Sequence, residues 1–244
     1  MELDDQITQN QKELEYHPPG DTGRAMALYR LAISLRKNFL EAYNIADLEE
    51  AIALHHLVLD LHPLGHSDQP DFLHDLALCF SSWYDKQGTM ADLKEAITLC
   101  QAALELYSPA YFGCASTLNN LANNMGCKFL KFRAKSHLDE ALLLHRSALD
   151  LHPPGHSDRL DSLHNLALCF RSRYDKQGTI ADLDEAITLN WAALELHPVG
   201  HSGHVNILNN LAVSLRNRFL IFSANDDLDE AISLHQSALS AGSF

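Results

Sequence analysis

Apolar residues recur along this chain at the spacing of amphipathic helices. Between positions 163 and 174 they are Leu163, Leu166, Ala167, Phe170 and Tyr174, and steps of three and four residues place them on one helix face. A second stretch repeats the spacing at Leu183, Ala186, Ile187, Leu189, Ala193, Leu194 and Leu196. No stretch alternates apolar and polar residues as a half-buried strand would. The pattern predicts two successive helices, which we name the A helix and the B helix.

Turn-forming residues mark the ends of these predicted helices. Gly178 lies between them and can adopt the positive φ that ends a helix. Asp182 precedes Glu185 by three residues, a spacing that predicts a capping box at the start of the B helix. Pro198 and Gly200 then end the B helix. The Asp–Glu spacing recurs at Asp47 and Glu50, at Asp92 and Glu95, and at Asp227 and Glu230.

The whole helix pair recurs every 45 residues. His-Pro begins at His17, His62, His152 and His197, and Tyr107 occupies the one missing place. One supersecondary unit copied at a fixed period is typical of a repeat array, so we expect a single repeat domain of about eleven helices with short connecting turns. Within residues 1–244 the predicted elements are a lone helix at 3–16 and helix pairs at about 23–61, 68–107, 112–151, 158–197 and 203–240.

The charge balance limits the classes of partner. The chain has 18 Lys and Arg against 32 Asp and Glu, a formal net charge of −14. Because nucleic acids and anionic membranes require basic surface, we expect neither as a partner. No apolar run approaches the roughly 20 residues that cross a bilayer, and the acidic opening residues Glu2, Asp4 and Asp5 do not resemble a secretory signal. We therefore expect a cytoplasmic protein.

Few residues suggest cofactor chemistry. The five cysteines include no CxxC pair, which argues against a disulfide framework or a zinc site of that type. Histidine pairs at His62 and His66, His152 and His156, and His197 and His201 suggest metal binding. Their spacings contain Pro and Gly, however, which predicts turns and not a helix face that aligns two ligands. Since no catalytic set is confined to one copy, we expect no metal, no cofactor and no enzymatic activity.

The repeated residues resemble the tetratricopeptide repeat. In the fourth copy the matching positions are Leu163, Leu166, Ala167 and Phe170, followed by Ala186, Ala193 and Pro198. The period of 45 residues exceeds the usual period of about 34, and in this respect the chain resembles kinesin light chains and the arrays expanded in basidiomycete fungi. The resemblance implies an all-α fold, a right-handed α-solenoid of antiparallel helix pairs.

The resemblance also implies a function. Members of the family bind a peptide or protein segment along a concave groove lined by A helices, so we expect a non-enzymatic protein–protein interaction scaffold. The alternative is a structural spacer or sensor arm of a larger signalling protein, whose effector domain is not in this sequence.

The B helix departs from the family pattern at one position. The large aromatic residue of the family is replaced there by His55, Cys100, His145, Asn190 and His235.

Candidate binding residues lie just before the Leu-Ala pair of the A helices and a few residues after it. Asparagine amides there could pair with a peptide backbone of any sequence, and arginines could meet acidic side chains or a terminal carboxylate. The alternative is that they are ordinary polar residues on solvated helix faces. The candidates are Asn119, Asn120, His164, Asn165, Asn209, Asn210, Arg30, Arg171 and Arg216.

Two further features leave alternatives open. Trp83 and Trp191 break the repeat, either as contact anchors or as local packing choices. The last B helix carries Leu228, Ile232 and Leu239 at positions that the next A helix covers in the internal copies. This predicts either a continuation in a longer protein or self-association through this helix.

Overall fold

Eleven α-helices make up most of the described part of the chain. The computed structural model describes residues 3–62, 65–108, 111, 113–156, 158–196 and 203–241. The helices are α1 (Leu3–Tyr16), α2 (Arg24–Ala42), α3 (Ile45–Leu61), α4 (Gln69–Gln87), α5 (Met90–Leu106), α6 (Gly113–Phe132), α7 (Lys135–Leu151), α8 (Arg159–Gln177), α9 (Ile180–Leu196), α10 (His204–Phe222) and α11 (Asn225–Ala241). Because these ranges contain no strand, the predicted all-α fold of helix pairs is confirmed. None of the described helices has the length and apolar character needed to cross a membrane.

The chain divides into two compact units, Met1–Asn124 and Met125–Phe244. The A helices carry even numbers and the B helices odd numbers. In the first unit α2 packs between α1 and α3, and α4 packs between α3 and α5. In the second unit α8 packs between α7 and α9, and α10 packs between α9 and α11. Each of these four A helices is therefore covered by the B helices before and after it.

Small residues allow this close approach of helices. The alanine of every Leu-Ala pair is at most 1% exposed: Ala32, Ala77, Ala122, Ala167 and Ala212. The B-helix residues that replace the expected aromatic also belong to the interior, since His55, Cys100, His145 and Asn190 are at most 2% exposed. Polar side chains therefore occupy a core position in these B helices.

The A helices end in two different ways. Gly88 and Gly178 end α4 and α8 with left-handed backbone, at φ of +72° and +67°. Tyr43, Arg133 and Ser223 hold the same conformation after α2, α6 and α10, at φ of +56°, +57° and +56°. In each case the backbone N–H of this residue bonds back to a carbonyl four residues earlier. Non-glycine residues at these angles are strained, so the backbone geometry is kept even where glycine is absent.

The capping box predicted at the start of the B helices is wrong, because the capping residue lies three residues earlier. Asn44 and Thr89 precede α3 and α5, and their side chains accept hydrogen bonds from the backbone N–H groups of Ala46 and Asp92. Asp47 and Asp92 lie inside the helices as the third helical residues. The cap is therefore one turn earlier than predicted, because the capping residue must keep extended backbone, as Asn44 and Thr89 do.

Candidate interaction face of the A helices

The candidate asparagines belong to two consecutive positions that precede the Leu-Ala pair of each A helix. The first position holds Tyr29, His74, Asn119, His164 and Asn209, and the second holds Arg30, Asp75, Asn120, Asn165 and Asn210. We name these ten residues the A face. Their exposure differs from copy to copy, so the A face is not one uniform ladder.

Asn120 is buried, unlike the other asparagine candidates. Its side chain is 7% exposed. Its amide oxygen lies 3.3 Å from the Ser81 hydroxyl, and its amide nitrogen donates a hydrogen bond to the Cys100 sulfur at 3.3 Å. The same hydroxyl lies 3.0 Å from the amide oxygen of the buried Asn124, so its one hydrogen is shared among these acceptors. Asn120 therefore joins α6 to α4 and α5 and does not line an open surface.

Carboxylates on α4 are held by phenol groups from neighbouring repeats. Asp71 accepts hydrogen bonds from Tyr107 at 2.8 Å and from Tyr111 at 2.9 Å. Asp75 accepts one from Tyr29. Burial, together with the nearby Asp75 carboxylate, raises the pKa of the Tyr29 phenol well above its usual range. These phenols therefore remain neutral donors that fix the two carboxylates.

This network was not predicted from the sequence. Tyr107 stands where the other copies have His-Pro, and its side chain is buried. Thr117 on α6 is hydrogen-bonded to His74 Nδ1 at 2.9 Å, and burial lowers the pKa of the His74 imidazole. The interruption of the His-Pro series was the available signal, because a residue that differs at a repeated position has different contacts.

Arg30 is exposed at the surface of the first unit. Its guanidinium forms an ion pair with Glu13 of α1 at 2.5 Å, and its backbone carbonyl accepts a hydrogen bond from the buried Asn10 amide at 3.2 Å. Exposed ion pairs of this kind contribute little to stability. Asn119, on α6, is half-buried.

The second unit presents most of the remaining candidates on α8 and α10. Arg171 donates to the Asn210 amide oxygen at 2.8 Å, and Asn209 is hydrogen-bonded to His235 Nδ1 at 3.2 Å. Arg216 is exposed, and Asn165 is half-buried. His164 is half-buried as well. The sequence of α10 contains no acidic residue, so this helix offers donors and positive charge.

The turn before α8 brings two histidines together. The rings of His152 and His156 stack with centroids 4.4 Å apart and planes inclined by 17°. The ligand atoms of these residues and of Asp158 lie within 4.8 Å of one another. Ring-nitrogen lone pairs lie in the ring plane, so nearly parallel rings do not direct them at one ion. His156 Nδ1 accepts the Asp158 backbone N–H at 3.1 Å, and His152 Nδ1 is bonded to the Ser162 hydroxyl at 2.9 Å, so the cluster organises the turn.

The two tryptophans differ in environment. Trp83 is half-buried and packs against the core of the first unit, which favours the packing interpretation. Trp191 is 36% exposed, and its role as a contact anchor stays a prediction.

Sequence comparison identifies the last repeat. Residues 205–244 match the model of the tetratricopeptide repeat family. No curated protein sequence matches the chain.

Solved structures with a similar fold cover most of the chain. YrrB, described as a TPR protein with an unusual peptide-binding site, is 18% identical over 98% of this chain and 100% of its own, with a TM-score of 0.58. A putative kinesin light chain from Podosopora anserina, with nearly identical TPR-like repeats, is 17% identical over 87% of this chain and 95% of its own, with a TM-score of 0.58. BtubC from P. vanneervenii is 20% identical over 99% of this chain and 91% of its own, with a TM-score of 0.58. At these identities the likeness establishes the fold.

Proposed function

Because this chain is built from repeats of the tetratricopeptide type, we propose that it is a non-enzymatic scaffold that binds a peptide or protein segment on its A helices. The observation that carries the proposal is the set of donors on α8 and α10. Arg171 and Asn210 are half-buried and Arg216 is exposed. A groove that binds a backbone needs such donors and acceptors on a rigid support.

The hydrogen bond between Arg171 and Asn210 supports this assignment. Arg171 occupies the oxygen of the Asn210 amide, which orients the amide while its nitrogen keeps two donor hydrogens. A peptide carbonyl is the natural acceptor for such a group. Oriented side chains lose less entropy on binding than free ones, so this pair favours recognition of a backbone.

YrrB is a TPR protein with a peptide-binding site, and the two chains share a fold. This supports a peptide or protein segment as the class of ligand. The competing function is a spacer or sensor arm that presents no binding surface of its own.

Binding to short peptides of random sequence would test the proposal directly. Peptides selected on the wild-type chain would be measured against a variant with Asn165→Ala, Asn210→Ala and Arg216→Ala. The control variant, Asn225→Ala with Lys176→Ala, changes exposed residues away from the A face. We expect the triple variant to weaken binding by about tenfold or more, as loss of donors to a ligand does, while the control binds like the wild type. Failure to select any peptide would support the alternative function as a spacer or sensor arm. Equal binding by both variants would show that the peptide binds outside the tested residues of α8 and α10.

A further inference from the structure

We propose that residues 128–135 form a second docking surface that binds an acidic segment with apolar side chains from a partner protein. These residues are the last turn of α6, the two linking residues and the first residue of α7, and we name them the α6–α7 turn. This surface lies at the A-to-B turn of the third repeat and shares no residue with the A face. The proposal therefore goes beyond the peptide binding described above.

The turn concentrates positive charge in an acidic protein. Residues 128–135 contain Lys128, Lys131, Arg133 and Lys135 and no carboxylate, although the whole chain has a net charge of −14. Lys131, Arg133 and Lys135 are exposed and Lys128 is half-buried. The next acidic residue along the chain, Asp139, lies 3.5 Å from Arg173 and is part of another ion pair.

The third repeat lacks the aspartate that binds the end of the A helix in three other repeats. In three copies a donor near the end of the A helix binds an aspartate nine residues later, in the first turn of the B helix. These pairs are Asn38 with Asp47 at 2.7 Å, Arg173 with Asp182 at 2.6 Å, and Arg218 with Asp227 at 2.6 Å. The corresponding residues in the third copy are Lys128 and His137. Among the described residues, none of the four cations of this turn forms an ion pair with a carboxylate.

Large apolar side chains lie among these cations. Leu130 is 60% exposed and Phe132 is 55% exposed. The turn of the fifth repeat exposes Leu220 and Phe222 to a similar degree, but there Arg218 is bound to Asp227. The exposed apolar pair is thus shared by two turns, and its combination with uncompensated positive charge is particular to the third.

The positive charge of residues 128–135 favours an acidic ligand. An acidic segment would neutralise the four cations, and its apolar residues would remove Leu130 and Phe132 from water. An anionic bilayer would meet the remaining acidic surface of the protein as well. A single segment contacts only the turn, and charges farther away than about 8 Å are screened at physiological salt. These considerations favour a protein segment.

Selection of displayed short peptides on the 244-residue chain tests the proposal. Peptides would be selected on wild type and counter-selected on the Lys131→Glu and Lys135→Glu double variant, so that only binders of this turn remain. The matched control carries Lys12→Glu and Lys176→Glu, which make the same charge change at other exposed positions. We expect the recovered peptides to be rich in Asp, Glu and large apolar residues. Their binding should weaken at least about tenfold in the turn variant, keep its strength in the control, and fall with added salt.

The apolar half of the surface has its own control. Leu130→Ser with Phe132→Ser should weaken the same peptides, whereas Leu220→Ser with Phe222→Ser should not. Recovered peptides without acidic enrichment, or an equal loss in either control, would overturn the proposal. Phosphatidylcholine vesicles with and without phosphatidylserine complete the test. Binding to the anionic vesicles that depends on Lys131 and Lys135, without any peptide binding, would overturn the protein segment in favour of a lipid surface.

Discussion

The imidazole of His55 packs edge-on against the phenol ring of Tyr29, with the two ring centroids 5.8 Å apart. His55 is fully buried, and neither of its ring nitrogens has a hydrogen-bond partner. His145 holds the corresponding position in the second unit and is also buried. The interior of each unit thus contains a histidine whose neutral form is favoured, because placing a charge in an apolar interior is costly.

Stability should therefore fall in mild acid. Burial lowers the pKa of His55 and of His145 to about 4, from 6.5. Since the unfolded chain takes up these protons first, stability is complete above pH 6.5 and decreases as the pH falls towards 4. Each pKa unit corresponds to about 1.4 kcal/mol, so the loss is roughly 3 kcal/mol or less per histidine. Urea unfolding at a series of pH values would measure it. His55→Leu should flatten the profile, and an unchanged slope in this variant would contradict the assignment.

The Arg218–Asp227 pair should stabilise the last helix pair. The guanidinium holds both carboxylate oxygens, at 2.8 and 2.6 Å, and these hydrogen bonds lower the pKa of Asp227 below 3.8. Because the folded pKa is lowered, this contribution is present above the ordinary pKa and is lost as the pH falls through the folded value. We expect Asp227→Asn to cost about 1–3 kcal/mol, while Asp226→Asn, an exposed neighbour, changes little. Thermal unfolding at neutral pH compares the two.

At the left-handed residues that end the A helices, introducing glycine should raise stability and removing glycine should lower it. Ser223→Gly relieves strain at φ +56° and should raise stability by up to about 1 kcal/mol, since glycine has no penalty there. Gly178→Ala should lower it by about 1 kcal/mol for the same reason. A Cβ at Gly178 would meet no atom within 4 Å, so steric clash does not contribute. Equal effects of the same sign in denaturant titrations would refute the backbone explanation.

Buried cysteines with a raised pKa should react more slowly with iodoacetamide than the other cysteines. Cys79 and Cys100 are fully buried, and burial raises the pKa of both thiols, as it does for Cys169, to about 12. Since the thiolate is the reactive form, iodoacetamide at pH 8 should label the partly exposed Cys114 and Cys127 well before the buried Cys79 and Cys100. Cys169 is also partly exposed, so its slow labelling would come from its raised pKa. Mass spectrometry of the labelled protein gives the order, and denaturant should equalise all five.

The outer side of α11 should mediate any self-association. Ile232 is 48% exposed and Leu239 is 74% exposed, although internal B helices use the same positions for contact with the next A helix. We expect Ile232→Lys with Leu239→Lys to abolish concentration-dependent growth of the mass measured by light scattering. A wild-type chain that stays monomeric at high concentration would show that this surface does not self-associate.

The helices could be predicted from the sequence because their signals are local. Spacings of three and four residues and the regular Leu-Ala pairs specify an amphipathic helix without reference to the rest of the chain. The capping residue was predicted in the wrong place because Asp47 and Asn44, three residues apart in the first repeat, both have side chains that can cap a helix. Only backbone conformation shows which residue lies outside the helix.

The candidate site was predictable only in part. The A-helix positions were identified through the repeat, but their exposure was not. Asn120 and Asn210 are equivalent in sequence, yet Asn120 is buried against Ser81 and Cys100, while Asn210 is half-buried beside Arg171. The difference comes from the partner residue in the neighbouring repeat, which is Ser81 in one case and Arg171 in the other.

The sequence by itself determined the repeat, the helix pairs and the all-α fold, because each follows from periods of a few residues copied at an interval of 45. The tertiary structure alone decided which polar groups are exposed. The Ser81 partner of Asn120 and Asn124 lies 39 and 43 residues away from them along the chain, and Arg171 reaches Asn210 across 39 residues. Burial and charge compensation depend on the side chains that folding brings into contact, and distances along the chain do not specify them.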